Sequence, residues 1–158
     1  MRAALHIRRV ANATNLSTAA GLLLAALTRT SIERGPNGLL FGTKYQPRLP
    51  LADAFTVGNV IFYRADRHYI DSRPELLGHE SAHATQYAWC LGLPFLPLYG
   101  ACATFSLWRT GDPGSRNFFE RNAGLAAGGY PNLPTLVRLA PLWTFLAHNM
   151  TWQGRHQP

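Results

Sequence analysis

The segment with the most chemical content in this 158-residue chain is His79-Glu80-Ser81-Ala82-His83. Histidines four residues apart project from one face of a helix, so both imidazoles can offer a nitrogen to a single cation. Such nitrogens suit zinc, and Glu80, next to the first histidine, can act as general base toward a water that the cation activates. Two ligands, a base and a helical spacing describe an H-E-x-x-H centre for metal-assisted hydrolysis, with zinc the expected ion.

A catalytic zinc takes a third protein ligand and keeps one position open. The longer H-E-x-x-H-x-x-G-x-x-H form is absent, because Gln86 and Trp89 stand where its glycine and third histidine would be. Only two of the eight acidic residues, Asp112 and Glu120, follow His83. Asp112 falls in a Gly/Pro turn, whereas Glu120 falls near the start of a predicted helix that can aim it. Glu120 is the expected third ligand, with His148 and then Asp112 as alternatives. The competing role for Glu120 is local, as the partner of Asn117 in a capping box. A donor to a developing oxyanion is also required, with Tyr99, Tyr130 and His148 as candidates. Tyr130, after Gly128-Gly129, is the first to test.

These groups need rigid elements. Ser72-Arg73-Pro74-Glu75 combines an N-cap serine, a first-turn proline and a capping-box glutamate, predicting a helix from 72 to 91 with Gly92 as its stop. Phe55 to Tyr63 is β-branched and aromatic and predicts one strand, with Gly58 marking a bulge or a close backbone approach. Other expected elements are a helix over 15–32 ended by the turn cluster 33–38, a short strand at 39–41, and helices over 97–108, 117–127 and 133–148. The predicted fold is α+β and mostly helical, with a small sheet packed on a helical bundle. The length suits one domain, 1–158, with an N-terminal helix 15–32, a metal-site core 54–130 and a C-terminal helical segment 133–148.

Composition narrows the partners. Hydrophobic residues make up 47% and charged residues 15%, which excludes a disordered chain and leaves some apolar surface. The net charge of +7 comes from scattered arginines, Lys44 being the only lysine, and no basic stripe alternates with aromatics. Nucleic acid is therefore not an expected partner. Peptide or protein substrate is, and a membrane surface is a further candidate, through Leu16 to Leu27 and Trp89 to Trp108. The second run is broken by Pro94 and Pro97, and no small-x-small cleavage signal follows the first. A retained helix is favoured over a cleaved signal peptide, in a cytoplasmic or membrane-associated protein. Cys90 and Cys102 lack metal-site spacing and are expected as free thiols.

His79, Glu80 and His83, followed by Glu120-Arg121-Asn122-Ala123, resemble the gluzincins, zinc peptidases whose second helix carries a glutamate ligand in an E-x-x-A setting. The strand 54–63, Gln86-Tyr87, Gly92 and Tyr99 are also similar to short bacterial proteins built on such a core, over roughly residues 54–130. The resemblance implies a minimal zincin-like core and a metallopeptidase in which Phe55 to Phe62, with Thr56, Val57, Gly58 and Asn59, forms the sheet edge that pairs with substrate. An acidic residue four places after the glutamate, which supports a metal histidine in some members, falls here on Gly124. The usual second subdomain is largely missing. The alternative implied is a catalytically inactive, zinc-stabilised protein acting through its apolar helices at a membrane or protein partner.

Overall fold

The computed structural model describes residues 2–50 and 52–135. The chain forms α1 (Arg2–Thr14), α2 (Ser17–Leu27), β1 (Ser31–Arg34), a 3₁₀ turn at Pro36–Gly38 and β2 (Leu40–Thr43). It continues with β3 (Ala54–Val57), β4 (Val60–Tyr63), α3 (Arg67–Asp71), α4 (Pro74–Trp89), α5 (Phe95–Thr110) and α6 (Phe118–Ala123). The fold is α+β and mostly helical. The predicted helix over 133–148, and His148 with it, lies almost wholly outside the described residues.

The four strands form one mixed sheet in the order β1-β2-β4-β3, parallel only between β2 and β4. β4 lies between two neighbours, and Val60, Ile61, Phe62 and Tyr63 are all buried, which explains its unbroken apolar sequence. Each such side chain contributes about 1.5–3 kcal/mol on leaving water. One face of the sheet packs Phe41, Ile61 and Tyr63 with Ile70 and Ala84 of the helices, and the other packs Val60 and Phe62 with Ala25 and Tyr45. β3 is an edge strand.

Several boundaries depart from the sequence expectation, each for a local reason. The single helix over 15–32 is instead two, α1 and α2, with a corner at Asn15-Leu16. There Leu16 has φ 65°, and the Asn15 side chain accepts the Ser17 amide. Ser31–Arg34 is a strand, because after Arg29 turns left-handed the chain pairs antiparallel with β2. The strand over 55–63 is a hairpin: Gly58-Asn59 forms the two-residue loop between β3 and β4, with Gly58 at φ 63°. A Cβ on Gly58 would sit 2.4 Å from the α2 backbone, so that packing also demands glycine.

The Ser72–Glu75 capping box does not form. The Ser72 hydroxyl donates to the Tyr69 carbonyl at the end of α3, and α4 begins at Pro74. α4 is secured from behind by α1. Arg8 donates to Ser81 Oγ and to the Asn37 carbonyl, while Asn12 donates to the Ala84 carbonyl and to Asn59 Oδ1. α1 thus turns polar side chains inward onto the helix that carries the motif.

Candidate metal centre

α4 and α6 converge on one point. The buried face of α4 includes His79, Glu80, His83 and Gln86, positions that a 3.6-residue period places close together. α6 is only six residues long, and its first turn is held by Asn117, whose side chain accepts the Phe119 amide. Asn117 therefore caps without help from Glu120, whose carboxylate crosses to α4 instead. His79, His83 and Glu120 are each at least nine-tenths buried, and their donor atoms all lie within 4.8 Å of one another. Among the described residues this is the one group of its kind.

The hydrogen bonds around the histidines decide which nitrogens face the centre. Gln86 Nε2 donates to the Phe119 carbonyl and to Asn122 Oδ1, so its Oε1 faces His83 Nδ1 at 2.8 Å and must accept. His79 Nδ1 lies 3.1 Å from the Gly124 carbonyl, also an acceptor. Both Nδ1 atoms therefore carry a proton, and in the neutral rings both Nε2 atoms present lone pairs. Those lone pairs meet at 3.0 Å, with Glu120 Oε2 3.2 Å from one and Oε1 3.6 Å from the other. Glu120 Oε2 is buried and accepts no hydrogen bond, consistent with a neighbouring nitrogen that has none to give. Three electron-rich groups packed this closely repel unless a proton or a metal cation sits among them. His₂Glu is a donor set suited to zinc, and the chain meets it with ligands already oriented by outer partners.

Gly124 supplies what its side chain cannot. The acidic support expected at that position from the resemblance is missing, but the Gly124 main-chain carbonyl occupies the same role toward His79. It can do so because α6 stops there, with φ 100° at Gly124, a region open mainly to glycine. The predicted helix over 117–127 ends at Ala123 for the same reason. Residues 124–130 then fold back over the centre. A Cβ on Gly128 would lie 2.3 Å from the His79 ring, so the loop lies flat on that imidazole.

Burial and charge set the protonation pattern. Burial alone would raise the Glu120 carboxyl, but in the metal-free chain the hydrogen bonds that the facing imidazoles give it when protonated, together with the Tyr99 hydroxyl, outweigh this and hold the pKa at about 2. Tyr99 donates to Glu120 Oε1 at 2.5 Å and is thereby committed to orienting the carboxylate. Burial also works against charge on His83, yet Glu120, Glu80 and Gln86 raise it on balance. Glu80 is pushed up, chiefly by burial, with His83, Thr56 and His79 only partly offsetting this. A divalent cation at the centre would be the largest local charge and would pull Glu80 back down.

The centre opens into a cleft of about 1370 Å³. His79, Glu80, His83 and Glu120 form its polar floor, β3 runs along one side, and Phe95, Leu96, Tyr99 and Ala103 of α5 form an apolar wall. Tyr130 also lines the cleft, packed on Gly114, and burial with the Glu120 charge raises its hydroxyl pKa. Of the four residues assigned to the substrate edge, Thr56 and Val57 line the cleft. Thr56 Oγ1 donates 2.7 Å to Glu80 Oε2, tying the edge strand to the candidate base. Gly58 and Asn59 form the hairpin loop instead, with the Asn59 side chain turned toward Arg9, Asn12 and Thr18. Asp112 accepts the Gly114 and Ser115 amides, which leaves it in its own turn rather than at the centre. Cys90 and Cys102 are free thiols.

Gln86, Gly124 and Gly128 are the participants that sequence reasoning passed over. Gln86, three residues after His83 on the same helix face, was open to discovery by spacing. Gly124 and Gly128 act through backbone position, which no residue type announces. Comparison of the chain with family models, with curated proteins and with solved structures finds no match.

Proposed function

We propose that this protein is a zinc-dependent hydrolase acting on peptide bonds, with zinc held by His79, His83 and Glu120. The observation that carries this reading is the pair of Nε2 lone pairs facing each other and a buried, hydrogen-bond-free carboxylate oxygen. Zinc bound there supplies Lewis acidity, activating water and polarising a carbonyl. Glu80 lines the same cleft and takes the proton from the attacking water, its carboxylate steadied by Thr56. Tyr130 donates to the oxygen on which negative charge develops. The outer edge of β3 offers main-chain groups for an extended peptide, and the apolar wall from α5 accepts one of its side chains.

A second reading is a zinc-stabilised protein that acts without catalysis through its apolar helices. It draws on α5, where Leu96, Leu98, Phe105, Leu107 and Trp108 are exposed. Glu80 separates the two, since a purely structural ion has no use for a carboxylate beside it.

Elemental analysis of the purified chain beside His83→Ala and Glu120→Ala tests the centre. About one zinc per chain, lost or much weakened in both variants, is expected for a three-ligand site. A peptide-library assay with Glu80→Gln then tests the reaction, the expected result being retained zinc and lost cleavage. No zinc after reconstitution would remove the metal reading. Zinc without cleavage of any peptide by the wild-type chain would favour the second reading.

A further inference from the structure

The corner where α1 meets α2 lies against the corner where α4 meets α5: a Cβ on Gly92 would come within 2.8 Å of the Asn15 carbonyl. Each corner contains a leucine in the left-handed region, Leu16 at φ 65° and Leu91 at φ 59°. That conformation favours glycine or asparagine, and a leucine side chain is strained in it. Packing does not compensate, because Leu16 is 64% exposed and Leu91 78%. Neither the backbone nor the core asks for leucine at these positions. Trp89 and Leu93 flank Leu91 in sequence and are exposed as well, as is Leu23 on α2.

Charge identifies the partner. Residues 1–32 and 81–111, the segments that contain both corners, have no aspartate or glutamate, whereas Arg9 on α1 and Arg29 just past the end of α2 are exposed. A second copy of the chain would bring two such basic corners together. No single helix among the described residues is long and apolar enough to cross a bilayer; α1 and α2 together have the length and composition but are bent by 66°. Arg8 and Asn12, moreover, hold α1 to the body of the domain. We propose that the paired corner at Leu16 and Leu91 seats this protein on an anionic lipid surface, the leucines and Trp89 entering the acyl boundary and the arginines facing the headgroups.

The test is flotation of the full chain with phosphatidylcholine vesicles, with and without a minority of phosphatidylglycerol, read together with tryptophan fluorescence. Binding to the anionic vesicles that weakens with salt, with a blue-shifted emission, is expected. The variant Leu16→Asn with Leu91→Gly places residues that accept the left-handed conformation at both corners, so folding, thermal midpoint and zinc content should hold or improve. Its vesicle partitioning should fall by about tenfold or more. No binding by the wild-type chain to anionic vesicles, or equal binding by the double variant, would overturn the proposal. So would a wild-type dimer that the double variant dissociates, which would reassign the corner to a second copy. None of these outcomes depends on whether the metal centre is catalytic.

Discussion

α5 and α6 border the same cleft and use their residues in opposite ways. α5 is sixteen residues long and apolar almost throughout, yet buries only Phe95, Ser106 and Thr110. α6 has six residues, far fewer than a helix needs to persist alone, yet buries a carboxylate. The short helix is fixed by specific partners: the Asn117 cap, Gln86 on the Phe119 carbonyl, and Tyr99 and the histidines on Glu120. The long one lends the cleft a wall and leaves the rest of its surface uncovered. Hydropathy thus measures how much apolar surface an element offers, while the location of chemistry follows from which polar groups are satisfied and by whom.

Substitutions on the two sides of the cleft should separate accordingly. The largest effect is expected for Glu80→Gln, which should lower peptide cleavage about 10²–10⁴-fold, the range of a lost general base, while zinc content stays near wild type. Unchanged kcat/KM would detach Glu80 from the reaction. Next comes Gln86→Leu, which frees the His83 tautomer and should weaken zinc binding by about 10–100-fold in a chelator competition. Gly128→Ala should weaken binding in the same direction, since the added methyl meets the His79 ring and must displace loop or ligand. The smallest effect is expected on α5, where Leu98→Ser should move stability by no more than about 0.5 kcal/mol in denaturant titration. A large loss there would show that α5 is packed against something in solution.

Acidity sharpens the same contrast. In the metal-free chain the His83 pKa is raised, so it contributes stability that is full below its unfolded value, about 6.5, and is lost as pH rises through the folded value. Glu80, also raised, gives a slope of the same sign above its ordinary value. Glu120, held at about 2, is ionised throughout and contributes no slope there. Zinc requires neutral histidines, so its affinity should fall about tenfold per pH unit for each proton it must displace on acidification. Thermal unfolding of zinc-free and zinc-loaded protein across neutral pH should therefore show slopes of opposite sign.

Much of this was legible from residue order alone. Histidines four apart with an adjacent glutamate must share a helical surface, and the paucity of acidic residues after His83 singled out Glu120. The α+β class followed from the strand-like run at 55–63 beside helical segments. The hairpin within that run is not legible locally, because Gly58 also suits a bulge or a close backbone approach, and only the pairing of β3 with β4 reveals the turn. The Ser72 cap was expected because its spacing is right, but the helix α3 just before it captures the hydroxyl first.

The sequence by itself determined the donor atoms, their spacing on α4 and the apolar runs that become β4 and α5, since these follow from helical and strand periodicity. The tertiary structure alone decided that both Nε2 atoms point inward, because that depends on Gln86 and on the Gly124 carbonyl. It alone also decided that Gly128 must lie flat on His79 and that two strained leucines share one exposed corner. Contacts of this kind depend on backbone position and on the proximity of segments far apart in the chain, which residue types do not encode locally.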